Sequence, residues 1–146
     1  MNKILVGLDG SPNSFKALEE AMALAKIFNA ELHTISVEQF PHFSETVSEV
    51  EEEKESEESK YAPIIFKAKE MASAKNIPIE THIVAGHEVK TVIEFVQKNK
   101  IDLLVVGFVG RSAIYDWAMG STSHSLVRLA PCSVMVVKEK TQSKKK

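Results

Sequence analysis

Glycine residues stand at two places in this chain where the backbone could wrap an anion. Gly7 and Gly10 follow one short apolar run and precede a predicted helix. Gly107 and Gly110 follow another such run. Glycine lets the backbone approach a ligand closely with its N–H groups turned outward, and the helix predicted to begin after Gly120 offers hydroxyl groups and a positive dipole end. These features together predict a polyphosphate site, with the stronger signal in the second segment.

Each motif taken alone also has a purely structural interpretation. Gly107 and Gly110 can make a tight turn, and Ser121 or Thr122 can cap the helix that follows. Asp9 can likewise close an Asx turn instead of touching a ligand. The combination of a glycine pair with a helix start favours anion binding over either structural role.

Strands and helices alternate along the chain and would position these segments. Apolar runs predict strands at residues 3–8, 31–37, 79–84, 102–106 and 133–138, the fourth of them near the sheet centre. Apolar residues at helical spacing lie between them, and the first helix is predicted from Ser11 and Pro12 to Asn29. This pattern predicts an open α/β fold, a five-stranded parallel sheet with helices on both faces. Its ligands lie beyond the carboxyl ends of the strands, where the strand order reverses.

Two segments depart from this pattern in composition. Residues 38–60 include eight glutamates between Glu45 and Glu58, and we interpret them as a solvated acidic loop or a frayed helix start, with a docking site for a cation or partner as the alternative. Residues 139–146 are lysine-rich and predicted to be disordered, with attachment to an anionic surface as the alternative. A single domain over residues 1–138 is therefore expected.

Composition excludes several classes of function. The chain has 146 residues, 44% of them hydrophobic, and a formal net charge of -2, so it lacks the basic excess of a nucleic-acid-binding domain. Its apolar runs are too short to span a membrane or to serve as a signal peptide. The single cysteine, Cys132, has no partner for an intrachain disulfide. A cytoplasmic location is expected.

Catalytic and metal-binding signals are weak. The histidines, His33, His42, His82, His87 and His124, are scattered and show no metal-ligand spacing. His124 falls near the predicted phosphates, where surface packing is favoured over a role as acid or base. Cys132 has no evident activating base and is interpreted as a small core residue. No catalytic residue is predicted.

The spacing Gly107-xx-Gly110-(nine residues)-Gly120-Ser121 resembles the ATP-binding motif of the universal stress protein family. The resemblance covers nearly the whole chain, through the opening ILVGLDGSPNSFKALEEAMALA, the segment ELHTISV and the terminal block GRSAIYDWAMGSTSHSLVRLAPCSVMVV. No Walker loop or Gly-x-Gly-x-x-Gly motif is present in the sequence. The implied fold is Rossmann-like, of the adenine nucleotide alpha hydrolase kind.

The resemblance also implies a set of ligand-binding residues. Gly7 and Asp9 would face the adenosine, with Asp9 near the ribose, and Val37 would contact the adenine. Arg111 would supply a fixed positive charge, unless it simply faces solvent. The implied nucleotide-binding residues are Gly7, Leu8, Asp9, Val37, Gly107, Phe108, Val109, Gly110, Arg111, Ser112, Ala113, Gly120, Ser121, Thr122 and Ser123.

The bulky pair Phe108-Val109 departs from the family pattern, in which small or polar residues are common at these positions. Backbone N–H groups should still be available there, so we expect an altered affinity and not a loss of binding. Tyr115 and Trp117, in the nine-residue spacer, are expected to pack against a partner subunit or under the loop and not to stack on a base.

The resemblance implies binding of ATP, or of AMP or ADP, with Mg²⁺ or Mn²⁺ as a possible companion. It implies a stress-response or regulatory module with at most slow hydrolysis, and an unidentified protein partner. It also implies a homodimer through the last strand, by the residues Val134, Met135, Val136 and Val137. The alternatives are a slow ATPase or adenylyl-transferring enzyme of the same fold, and a dimeric partner-binding module without nucleotide, which would follow if Phe108 and Val109 fill the pocket.

Overall fold

Five parallel strands alternate with four helices in the part of the chain that the computed structural model describes, residues 1–39, 47–109 and 119–138. The strands are β1 (Lys3–Gly7), β2 (Glu31–Glu38), β3 (Glu80–Ala85), β4 (Leu103–Gly107) and β5 (Ser133–Val137). The helices are α1 (Pro12–Phe28), α2 (Val47–Ala74), α3 (Glu88–Asn99) and α4 (Ser121–Leu129). The strand order is β3-β2-β1-β4-β5. The predicted open α/β fold is confirmed.

The sheet has an apolar core on each of its two faces. Side chains alternate along a strand, so Ile4 and Val6 of β1 pack in one core with Leu18 and other residues of α1 and α2. Leu5 faces the other way and packs in the second core, which includes Val96 of α3. This double burial explains why β1 is a continuous apolar run and does not alternate with polar residues.

Helix α1 has the ends that its sequence predicts. The side chain of Ser11 accepts a hydrogen bond from the Ser14 N–H at 3.2 Å, and Pro12 occupies the start of the helix. The helix ends at Asn29, which adopts the left-handed conformation with a φ of 54°. These caps fix the start of α1 directly after β1.

The acidic segment was predicted to be either a solvated loop or the start of the next helix. Helix α2 begins at Val47, so residues 47–60 agree with the second interpretation and not with the first. Glutamate and lysine are good helix formers, and residues 47–60 hold no glycine or proline to interrupt a helix. Glu38 ends β2 and is buried. Residues 40–46 and the tail at 139–146 lie outside the described residues.

The strand order reverses between β1 and β4. The chain builds β1, β2 and β3 outward in one direction, and α3 then leads back to β4 on the other side of β1. The prediction that β4 lies near the sheet centre is confirmed, because β4 is next to the central strand β1. The carboxyl ends of β1 and β4 therefore flank the position where ligands of open α/β sheets bind.

The side chain of Asp102 fixes the amino ends of these two strands. Its Oδ2 atom accepts hydrogen bonds from the backbone N–H groups of Asn2, at 2.7 Å, and Lys3, at 2.9 Å. These two bonds lower the pKa of the Asp102 carboxyl group. Among the helices of the described ranges, none is long and apolar enough to cross a membrane.

Candidate functional site

Gly7 and Gly107 end two neighbouring parallel strands, but they meet different surroundings. A Cβ atom on Gly107 would lie 2.8 Å from the Cβ and 2.9 Å from the backbone carbon of Asn13. Glycine is therefore needed at position 107 for β4 to approach the first turn of α1. A Cβ atom on Gly7 would meet only the Val106 Cγ1 atom, at an ordinary 3.5 Å. Of the two glycines, only Gly107 is thus required by the packing of its neighbours.

The turn after β1 is fixed by hydrogen bonds on both sides of Asp9. The Asp9 Oδ1 atom accepts from the Ser11 N–H at 2.9 Å, which is the Asx turn considered as the structural role of this residue. The backbone of Leu8 donates to the Ile35 carbonyl at 2.9 Å and accepts from the Ser36 hydroxyl at 2.7 Å. Because the Leu8 side chain is also buried, this residue can only position the turn.

Helix α4 starts beside the carboxyl end of β4. The Gly120 N–H donates to the Phe108 carbonyl at 2.9 Å, and the Ser123 hydroxyl donates to the Gly107 carbonyl at 2.6 Å. The Phe108 N–H donates to the Val137 carbonyl at 2.8 Å. The expectation that the backbone N–H groups here remain available is therefore wrong at Phe108.

The first turn of α4 presents its hydroxyl groups unequally. Ser121 is exposed and Thr122 is half-buried, whereas Ser123 is buried with its proton directed to the Gly107 carbonyl. The N-cap residue is Gly120, which has no side chain to accept a hydrogen bond from the first turn. The first N–H groups of a helix have no partner within the helix itself. Ser121 and Thr122, with those N–H groups, are the best placed to meet an anion.

Val37 lies near the carboxyl end of β2, which pairs in parallel with β1, so it is close to the carboxyl end of β1 as well. Its carbonyl accepts a hydrogen bond from the Tyr61 hydroxyl of α2 at 2.8 Å. Its side chain is half-buried against the core on the α3 side. The backbone at Val37 is thus held from one face of the sheet while its side chain lies on the other.

Glu88 is a residue of this region that sequence reasoning missed. It starts α3, and its Oε2 atom accepts a hydrogen bond from the Gln39 amide at 3.3 Å. Burial raises the pKa of Glu88, and the nearby charge of Asp9 raises it further. An open cavity of about 540 Å³ lies here, with Gln39, Glu88 and Thr122 in its wall. No sequence signal links Glu88 to Asp9, because the two residues follow different strands.

The structure brings together most of the predicted site. Three groups of predicted residues meet around the carboxyl ends of β1 and β4: Gly7, Leu8 and Asp9; Gly107, Phe108 and Val109; Gly120, Ser121, Thr122 and Ser123. The predicted residues Gly110, Arg111, Ser112 and Ala113, with Tyr115 and Trp117 of the spacer, lie outside the described residues.

Two of the scattered histidines come together in the sheet. His33 of β2 and His82 of β3 lie on neighbouring strands, with stacked rings whose centroids are 5.3 Å apart. The histidines show no metal-ligand spacing along the sequence, but the fold brings this pair into contact. Spacing along the chain could not reveal it, because the two residues are 49 positions apart.

A parallel α/β sheet with glycines where the strand order reverses defines a doubly wound protein, a class whose ligands bind at that point. The sequence profile of the universal stress protein family matches residues 1–138. The chain belongs to the universal stress protein family.

Individual relatives agree with this assignment. A universal stress protein of Methanocaldococcus jannaschii is 32% identical over 145 residues, covering 94% of this chain and 82% of that protein. The structure of UspA from Lactobacillus plantarum is 26% identical with a TM-score of 0.81, covering 93% of this chain and 97% of that one. A universal stress protein solved in complex with cAMP is 31% identical with a TM-score of 0.69, covering 93% and 95%.

Proposed function

We propose that this chain is a cytoplasmic regulatory protein that binds ATP in the crevice between the carboxyl ends of β1 and β4. The observation that carries the proposal is the placement of Gly7 and Gly107 on neighbouring parallel strands where the strand order reverses. The similar protein solved with cAMP supports an adenine nucleotide as the ligand class. The triphosphate is proposed from the glycine spacing, with Mg²⁺ or Mn²⁺ as its companion.

Each wall of the crevice suits a different part of the nucleotide. Asp9 follows β1 and offers a carboxylate to the ribose hydroxyls, while Val37 of the adjacent strand offers an apolar contact to the base. Ser121, Thr122 and the start of α4 suit the phosphates. The Phe108 ring lies 5.1 Å from the Lys138 Nζ atom beyond β5, which places it on the side away from β1 and favours an accessible crevice.

We propose binding without efficient turnover. Hydrolysis needs a group that positions or activates a water molecule, and the carboxylates near the crevice have other roles. Asp9 accepts a hydrogen bond in its own turn, and burial and the Asp9 charge favour the neutral form of Glu88. The nucleotide would then act by changing which partners the protein binds.

Calorimetric titration of ATP, with and without Mg²⁺, tests the proposal on three variants. Gly110→Val should block approach of the backbone to the phosphates, and Ser121→Glu should repel them without harming the helix, because a negative charge suits a helix start. Asp9→Asn keeps an oxygen for the Asx turn but removes the charge that faces the ribose. Ser73→Glu is the control, since it makes the same charge change at an exposed site in the last turn of α2.

The pattern of affinities distinguishes the two walls of the crevice. Ser121→Glu should weaken ATP binding at least tenfold and adenosine binding little, whereas Asp9→Asn should weaken both. Ser73→Glu should bind like the parent chain. If the parent chain binds no adenine nucleotide, the proposal fails. If Ser121→Glu binds ATP as the parent does, the phosphates do not lie at α4.

We also propose a homodimer formed through β5. This strand is at the edge of the sheet, and an unpaired edge is a template for pairing with another chain. The Val137 carbonyl is directed to Phe108, so the backbone of Val137 faces β4. The backbone polar groups of successive residues in a strand point to opposite sides, so the N–H groups of Val134 and Val136 point away from β4. Those two groups are the ones that a second copy would reach.

Sedimentation equilibrium of two substitutions at Val134 tests the dimer. Val134→Pro removes an outward N–H group without removing a hydrogen bond to β4, and it should shift the chain to monomer. Val134→Thr keeps the N–H group with a side chain of similar shape and should remain dimeric. A monomeric parent chain, or a dimer that survives Val134→Pro, would exclude this interface.

A further inference from the structure

Four side chains of β2 and β3 form a polar cluster at the opposite end of these strands from the crevice. The register pairs His33 of β2 with Glu80 of β3, and His82 follows two residues later on the same face. Glu31 precedes His33 by two residues and also lies on that face. The cluster uses none of the residues proposed to bind nucleotide.

The nitrogen and oxygen atoms of this cluster converge. The His33 Nδ1 atom lies 3.1 Å from the His82 Nε2 atom and 3.6 Å from the Glu80 Oε2 atom. One ligand atom from each of these three residues lies within 4.8 Å of the others. Nitrogen ligands about 2.0–2.1 Å from a tetrahedral zinc ion are roughly 3.3 Å from one another. The two separations from His33 are thus close to those that a bound ion requires, and the exposed Glu80 side chain can move to complete the set.

The surroundings orient the two imidazole rings. The Glu31 Oε1 atom lies 3.1 Å from the His33 Nε2 atom, and a carboxylate bound to the second nitrogen of a histidine directs the first nitrogen to a metal. The Phe95 ring of α3 packs against both imidazoles, with its centroid 4.8 Å from that of His82 and 6.4 Å from that of His33. The rings are therefore held in place before any ion binds.

The cluster combines buried and accessible ligands. His33 is buried, whereas the side chains of Glu31 and Glu80 are 61% and 69% exposed. An ion could enter from the Glu80 side, and a fourth coordination position would remain open to solvent.

We propose that His33, His82 and Glu80 bind one divalent transition-metal ion of the Zn²⁺ class, with Glu31 orienting His33. Two imidazoles and a carboxylate suit zinc, and also cobalt and nickel, better than they suit magnesium or calcium. The ion joins the edge strand β3 to β2. It is a site separate from any ion that accompanies a nucleotide, because it lies at the other end of the strands.

Competition between the tag-free chain and a chromophoric chelator for Zn²⁺ measures the affinity and the stoichiometry. The experiment uses a Cys132→Ser background, which removes the one thiol of the chain. His82→Gln removes a ligand, and Glu80→Gln removes another at an exposed position where folding is not at risk. His124→Gln is the matched control, because His124 is exposed on α4. Bound Co²⁺ gives an independent readout through its ligand-field absorption.

The expected result is one Zn²⁺ per chain, with affinity at least tenfold weaker in His82→Gln and in Glu80→Gln and unchanged in His124→Gln. Glu31→Ala should weaken the affinity by about 10–100-fold through the loss of orientation. ATP binding should be the same in His82→Gln as in the parent, so failure of one site does not imply failure of the other. No stoichiometric Zn²⁺ uptake, or equal affinity in His82→Gln and the parent, would show that the cluster is only a hydrogen-bonded pair of rings.

Discussion

Replacing Gly107 by alanine should destabilise the fold, because the new methyl group has no room. Its carbon would lie 2.8 Å from the Asn13 Cβ atom, 2.9 Å from the Asn13 backbone carbon and 3.0 Å from the Asn13 carbonyl oxygen. Two of these atoms belong to the backbone of α1 and cannot rotate away, so the first turn of the helix must shift. Overpacking of this kind costs about 1–3 kcal/mol, and each kcal/mol lowers the melting midpoint of a chain of this size by roughly 2–4 °C.

The matched control is alanine at Gly7, the corresponding end of the neighbouring strand. Its methyl group would meet the Val106 Cγ1 atom at 3.5 Å, an ordinary contact. Alanine has less conformational freedom than glycine in the unfolded chain, which stabilises such a variant by about 0.4–1 kcal/mol. The two substitutions should therefore change the free energy of unfolding in opposite directions. Urea unfolding of both variants without nucleotide measures the difference. Equal stability of Gly107→Ala and the parent, or an equal loss in Gly7→Ala, would refute the packing argument.

Two further predictions concern Glu88 and Tyr61. The folded chain binds the Glu88 proton more tightly than the unfolded chain, so this residue's contribution to stability is full below pH 4.5, the ordinary pKa, and declines as the pH rises through the raised value. Glu88→Gln should remove that decline and be more stable than the parent at neutral pH; parallel curves of unfolding free energy against pH would contradict this. Tyr61→Phe removes the hydrogen bond to the Val37 carbonyl and should cost about 0.5–1.5 kcal/mol in urea unfolding, whereas an unchanged midpoint would show that the bond adds nothing.

Periodicity predicted the fold well because burial alone determines most of these elements. The apolar run of β1 and the caps of α1 at Ser11 and Asn29 each act locally, so the sequence reveals them directly. The start of α2 was left open between a loop and a helix, because its first turns contain many glutamates and few apolar residues and Pro63 stands inside the helix. Helix propensity extends α2 back to Val47, but these first turns have no apolar repeat that would reveal the helix in the sequence.

The site was predicted less completely, because its details depend on contacts between distant segments. The glycine spacing identified the ends of β1 and β4, but it could not show that Gly107 is required by Asn13. The approach of Glu88 to Asp9 and the pairing of His33 with His82 arise only when three strands take their order in the sheet. Sequence patterns report each strand alone, so such pairs remain hidden.

The central position of β1 also affects how a newly made chain folds. Its neighbour β4 is synthesised roughly a hundred residues after β1. At a synthesis rate of about 5–20 residues per second, one edge of β1 stays without its partner strand for roughly 5–20 s. During that interval β1, the central strand of the finished sheet, is also open to pairing with other chains. The exposure ends when β4, to which α3 returns the chain, pairs with β1.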